Sequence, residues 1–261
     1  MISRIQYIIE GEVRRWVDGR SGRSYWRFPV CVGIADVTDP LFEKLREVVA
    51  PDHALPHDLL PSAASVVVFF LPFREALAKE NRNETPYAAR SWAEAYLATN
   101  ALIAEICEAL RQAFAEEGHE SAVTPATHNF DEKRLVSRWS HKHLGYIAGV
   151  GTFGLHHQLI TPQGACGRLG SLVTSKPMEP TARPGREYCL AKSGHSCAAC
   201  VRRCTYGALT HHGFDRHRCY AQLLENDRHY ADLPLVDVCG KCVADVPCSY
   251  GVPKASTAER R

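Results

Sequence analysis

The feature that most constrains this chain is a crowding of cysteines near one end. Eight of its eleven cysteines fall in two groups: Cys189, Cys197, Cys200 and Cys204 in CLAKSGHSCAACVRRC, then Cys219, Cys239, Cys242 and Cys248 in HRCY and CGKCVADVPC. A tight C-x2-C loop offers two thiolates from one turn. The bacterial double-cluster run C-x2-C-x2-C-x3-C adds a fourth cysteine that ligates the other cluster. Cys197, Cys200 and Cys204 occupy the last three positions of that run. Its first position falls on Gly194, and Cys189 can replace it through the 192–194 loop. The crossing rule then assigns Cys189, Cys197, Cys200 and Cys248 to one 4Fe–4S cluster and Cys204, Cys219, Cys239 and Cys242 to a second. Two sites are filled and no ligand is left over. Two structural zinc sites are the alternative, since these also use four thiolates. A disulfide framework does not suit a chain without secretory features.

Those features are missing from the start of the chain, MISRIQYIIEGEVRR, which has no long apolar segment or small-residue cleavage site. No apolar run nears the roughly 18–20 residues that cross a bilayer. The expected location is therefore the cytoplasm, with no membrane partner. Thirty-one basic and 29 acidic residues give a net charge of +2, which argues against a dedicated nucleic-acid partner. A local basic cluster, Arg202, Arg203, Arg216 and Arg218, reads either as a solvated face or as a docking patch for an acidic electron donor or a phosphate backbone. Of the other cysteines, Cys31 and Cys107 read as structural. Cys166, in the loop GACGRLG, is the candidate for reactivity beside a structural reading.

With 261 residues the chain can hold one substantial core and a small satellite. Trp26, Phe28, Val30, Val32 and Ile34 alternate with smaller or polar residues, the period of a half-buried strand. SVVVFFL at 65–71 is apolar on both faces and predicts a central strand. A long helix is expected over 86–117 and a short strand over 121–123. A second helix is expected over 131–147, where Leu135, Trp139, His143 and Ile147 recur every four residues, followed by strands over 158–161 and 169–174. Three prolines and a glycine in 176–185 read as a linker. The expected division is an α/β core over 1–180 and a cluster-binding domain over 181–261.

Gly149, Gly151 and Gly154 spell G-x-G-x-x-G. A dinucleotide fingerprint follows a strand and opens a helix, and this one follows a helix and leads into a strand, so it is not a Rossmann site. The glycines instead allow close approach of another backbone or a flat cofactor. Here a resemblance becomes specific. AGVGTFGLHHQLIT, then RLGSLVT, then the cysteine groups, in that order, with VGIADVTDP near the start, is similar to the cobalamin-dependent reductases related to epoxyqueuosine reductase and the reductive dehalogenases. The resemblance implies an α+β fold: a nitroreductase-like α/β core followed by a bacterial-ferredoxin-like double 4Fe–4S module. It also implies a base-off cobalamin between the two, near Gly149, Gly151, Gly154 and Leu155, and electrons from an external ferredoxin or flavodoxin. The substrate would be a small molecule or a corrinoid.

The chain departs from the family pattern. Val123-Thr124-Pro125-Ala126 places Thr124 where epoxyqueuosine reductases carry an acidic residue. The segment 127–137 reads as an insertion, and Gly154-Leu155-His156-His157 stands where family members often carry Gly-Lys. The C-terminal repeat domain linked to tRNA binding is read as lacking. Reduction needs a general acid, for which His156, His157 and His141 are the candidates, with His143, Asp131 and Glu132 as further ones. Three functions follow: a cobalamin-dependent reductase, an electron-transfer or cofactor-activating iron–sulfur protein without cobalamin, or a tRNA-modifying epoxyqueuosine reductase.

Overall fold

The structure is a computed structural model that describes residues 1–20, 24–125 and 130–255. In chain order the first half comprises α1 (Ile2–Gly19), β1 (Cys31–Asp36), α2 (Leu41–Val48), α3 (Pro56–Leu59), β2 (Ser65–Pro72), α4 (Glu75–Asn83) and α5 (Arg90–Ala115). There follow β3 (Ser121–Val123), β4 (Phe130–Asp131), β5 (Val136–Ser137), α6 (His141–Ile147), β6 (Thr152–Phe153), β7 (Leu159–Ile160) and β8 (Gly167–Thr174). The cysteine-rich end contributes α7 (Ala199–Arg203) and α8 (Arg216–His229). Among the described residues no helix is long and apolar enough to cross a membrane.

The order β1-β2-β8-β3 makes one antiparallel sheet. All eight residues of β2 are buried, because the sheet is covered on both faces. Val67, Phe69 and Leu71 point toward Ile5 and Ile9 of α1 and Leu102 of α5. Val66, Val68 and Phe70 point the other way, toward Phe42 of α2 and Leu144 and Ile147 of α6. Burying each such side chain contributes roughly 1.5–3 kcal/mol. The α+β expectation and the central strand therefore both hold.

Two local expectations are corrected, and one unassigned segment is resolved. No helix spans 131–147. The Asp131 carboxylate accepts hydrogen bonds from the backbone N–H groups of Lys133 and Arg134, both at 2.9 Å, and Leu135 takes a φ of 52°. This local turn competes with the helix and makes a β4–β5 hairpin, so only α6 remains of the expected run. The strand expected from Trp26 begins at Cys31 instead, because Pro29 has no N–H for a ladder. Trp26 makes only an isolated bridge to Phe73. The N-terminal segment, left unassigned above, is α1, with Ile5, Ile9 and Val13 on its buried side.

Residues 176–185 form no regular element. They run along the outer edge of β1, where Ile34 N–H donates to Thr181 Oγ1 at 3.0 Å and Thr181 N–H donates to Ile34 O at 2.8 Å. The chain beyond shares the core of the chain before: Cys189, Val243 and Ala244 belong to the same apolar cluster as β2 and α5. Backbone bonds tie it further, from Ala165 N–H to Cys248 O at 2.8 Å and from Cys166 N–H to Ser249 O at 3.1 Å.

Candidate metal centre

The fold brings the eight clustered cysteines into two groups of four. Cys189, Cys197, Cys200 and Cys248 line one small cavity, closed by Leu155 and His156. Cys204, Cys219, Cys239 and Cys242 line a second, of about 240 Å3. Each group joins residues distant in sequence, because the 239–248 loop folds back over α7. Its shape is fixed from α4 and α8. Asn81 Nδ2 donates to Cys239 O at 2.9 Å, Asn226 Nδ2 donates to Val238 O at 2.6 Å, and buried Lys241 donates to Glu84 O at 2.7 Å.

Burial pushes the Cys248 thiol up to about 12, and the nearby Cys200, Cys189 and Cys197 push the same way. Burial likewise pushes Cys219 up to about 12, followed by Cys239 and Cys204. A thiol raised in this way, as Cys248 and Cys219 are, resists ionisation unless a metal supplies the countercharge, and a coordinating thiol is deprotonated outright. Backbone N–H groups already aim at two sulfurs: Leu155 N–H at Cys189 Sγ, 3.4 Å, and Leu209 N–H at Cys204 Sγ, 3.3 Å. Among the described residues no three His, Cys, Asp or Glu side chains close on a point where a single ion would sit.

A cleft adjoins the second cysteine group. Its next compartment, of about 350 Å3, is walled by Trp139, Leu169 and Phe130 and edged by Ser140, Gln158 and Arg168. A further one, of about 580 Å3, reaches His157, Lys192 and Arg216. Lys142 lines both, and no Asp or Glu lines either among the described residues. Burial lowers the Lys142 ammonium, and Arg216 lowers it further. Burial also disfavours the Arg168 charge, which rests over the Tyr96 ring at 4.4 Å. The sequence reading missed Arg168 and Lys142; an arginine at the mouth of a buried strand was the available signal.

The candidate acids divide. His141 is held at both ring nitrogens, by Ser171 Oγ at 2.9 Å and Pro125 O at 3.3 Å, and burial drives it down to about 4. His156 is likewise held at both, by Gln158 N–H at 3.1 Å and Cys248 Sγ at 3.4 Å. His157 faces the cleft and stacks on Phe214 with ring centroids 5.2 Å apart. Burial lowers it first, then Lys142, Lys192 and Arg216. His143 meets Ser140 Oγ at 2.8 Å. Asp131 serves its turn, and Glu132, in the same turn, is exposed. Among the described residues Thr124 Oγ1 is buried without a hydrogen-bond partner, and Ala126 and the start of the 127–137 segment lie outside them.

The glycines face protein. Gly149, at φ 72°, lies against the carbonyls of Thr181 and Ala182, and a Cβ on Gly151 would come 2.1 Å from Ile160 O. A Cβ on Gly154 would come 2.5 Å from Cε1 of His156, so this glycine makes room for the imidazole. Leu155, between them, turns its N–H toward Cys189. Cys107 and Cys166 are buried, which pushes each thiol up to about 12, and Cys31 donates to Thr161 Oγ1 at 3.5 Å.

No protein-family model matches the chain, and no curated protein matches its sequence. Solved structures match its fold. Epoxyqueuosine reductase from Bacillus subtilis, with a catalytic aspartate loop swung out of its active site, has a TM-score of 0.56 at 17% identity, covering 94% of this chain and 67% of that one. An epoxyqueuosine reductase with an epoxyqueuosine-modified tRNA-Tyr stem loop has a TM-score of 0.51 at 16% identity, covering 94% and 67%. A catabolic reductive dehalogenase in complex with 3-bromo-4-hydroxybenzoic acid has a TM-score of 0.60 at 15% identity, covering 85% of this chain and 30% of that one. The chain thus has the fold of the epoxyqueuosine reductases and catabolic reductive dehalogenases.

Proposed function

We propose that this chain is an iron–sulfur oxidoreductase whose eight clustered cysteines hold two 4Fe–4S clusters, in a ferredoxin-like module, that pass low-potential electrons to a group bound in the adjoining cleft. The observation that carries the reading is the pair of cavities, each lined by four cysteines from separated stretches of chain. A single ion draws its thiolates to about 2.3 Å from one point. Eight cysteines in two groups of four match the ligand count of two cubane clusters, with three thiols of the first group on one short stretch of chain.

A cobalamin is the group proposed for the cleft. The residues fit it: apolar Trp139 and Leu169 would face a flat ring, while Ser140, Gln158 and Arg168 offer polar contacts at its rim. The space also continues from one compartment into the next through shared residues. A bound corrinoid supplies a low-valent cobalt able to reduce a carbon–halogen bond or an epoxide. The chain's own residues hold the clusters beside the cleft, shield it with Trp139 and Phe130, and bring His157 to its rim as the proton carrier. External electrons come from a ferredoxin or flavodoxin, for which Arg202, Arg216 and Arg218 are the proposed contact.

The test is anaerobic purification with a visible spectrum before and after cobalamin is added. Intact clusters with a shifted corrinoid spectrum support the reading. Intact clusters without corrinoid binding leave an electron-transfer protein and sink the reductase.

A further inference from the structure

His156 occupies an unusual place. It lines both the cavity of Cys189, Cys197, Cys200 and Cys248 and the cavity that opens into the cleft. Its side chain is only 3% exposed. Gly154 lies against the ring, where a Cβ would come 2.5 Å from its Cε1.

The hydrogen bonds settle which nitrogen carries the proton. Gln158 N–H donates to Nδ1 at 3.1 Å, so Nδ1 is the acceptor. A neutral imidazole then carries its hydrogen on Nε2. That nitrogen lies 3.4 Å from Cys248 Sγ and has the sulfur as its partner. The bonds to Cys189 and Cys204 come from backbone N–H groups instead. Among the described residues His156 is therefore the side-chain donor that distinguishes one cysteine group from the other.

We infer that His156 is a positioning residue that sets the reduction potential of one cluster, by donating its Nε2–H to the Cys248 sulfur on the side facing the cleft. The inference rests on the cluster assignment proposed above. Reduction adds one electron, from an external low-potential donor, to the cluster. No bond breaks, and the proton stays on Nε2. A donor beside the sulfur stabilises the more negative reduced form, and hydrogen bonds to cluster sulfurs are among the determinants of such potentials. His156 thus makes this cluster easier to reduce than it would be without the bond.

Two variants separate the sulfur bond from the packing. His156→Asn keeps an acceptor for Gln158 N–H but is too short to reach Cys248. His156→Gln extends an amide donor back to the sulfur. In an EPR-monitored redox titration of iron-loaded protein, His156→Asn is expected to move one of two cluster transitions to lower potential by roughly tenfold in equilibrium constant, about 59 mV. His156→Gln restores most of it, and the other transition stays in place in both. Unmoved potentials, or both transitions moving together, overturn the inference. Should His156→Asn fail to retain iron, the unmodified protein decides: a hyperfine coupling from 15N-histidine in one reduced cluster supports the bond, and its absence overturns it. Wild-type protein that takes up no iron overturns the cluster assignment itself, an outcome distinct from an unmoved potential.

Discussion

Asn81→Ala is the substitution that tests most sharply how the cysteine loop is held. Asn81 is completely buried on α4. Its Nδ2 donates to Cys239 O at 2.9 Å, and its Oδ1 accepts from Ala89 N–H at 3.0 Å. Alanine leaves both backbone groups buried and unpaired, at roughly 1–3 kcal/mol each. Lys241 loses its 3.3 Å contact to Oδ1 but keeps Glu84 O. The expected loss is about 2–6 kcal/mol, less whatever an entering water recovers. Urea unfolding of iron-loaded protein measures it. Because Cys239 lies in the second cysteine group, its cluster should also become the labile one, so that one of two EPR signals fades on dilution with chelator. A stability within 0.5 kcal/mol of wild type, or equal loss of both signals, would refute the idea that this side chain shapes the loop.

Other consequences follow from the same geometry. Gly151→Ala forces a Cβ against Ile160 O and should cost at least the roughly 1–3 kcal/mol of an overpacked core, read as a lower thermal midpoint. His141 has its folded-state pKa depressed to about 4 by burial, so the unfolded chain binds its proton first as pH falls. Its contribution is full above the ordinary histidine value near 6.5 and is lost as pH drops from there toward 4; His141→Gln should flatten the melting temperature over that window. Cys248→Ser and Cys204→Ser should each remove one cluster and leave the other, as separate EPR signals would report.

The sequence was most informative where one physical rule dominated. SVVVFFL had to be a strand covered on both faces, and β2 is that strand. The long helix was legible because Leu102, Ile106 and Leu110 share a buried side. The spacing of the cysteines suggested which loops would meet if all eight hold metal, and two cavities are each lined by four of them. Four-residue spacing misled at 131–147, where one carboxylate capping its own turn outweighed the apolar period. The glycines gave room without saying for what; only the coordinates show Gly151 under a carbonyl and Gly154 under an imidazole. Lys142 was invisible, and Arg168 carried only the signal of its place on a buried strand, because burial of a cation in a cleft depends on elements far apart in the chain, β8 and α6.

The central claim is two clusters on eight cysteines, and metal and sulfide analysis of anaerobically purified protein tests it most directly. The account predicts about eight irons and as many acid-labile sulfides per chain, in a brown protein. Two zincs per chain in a colourless protein would contradict it.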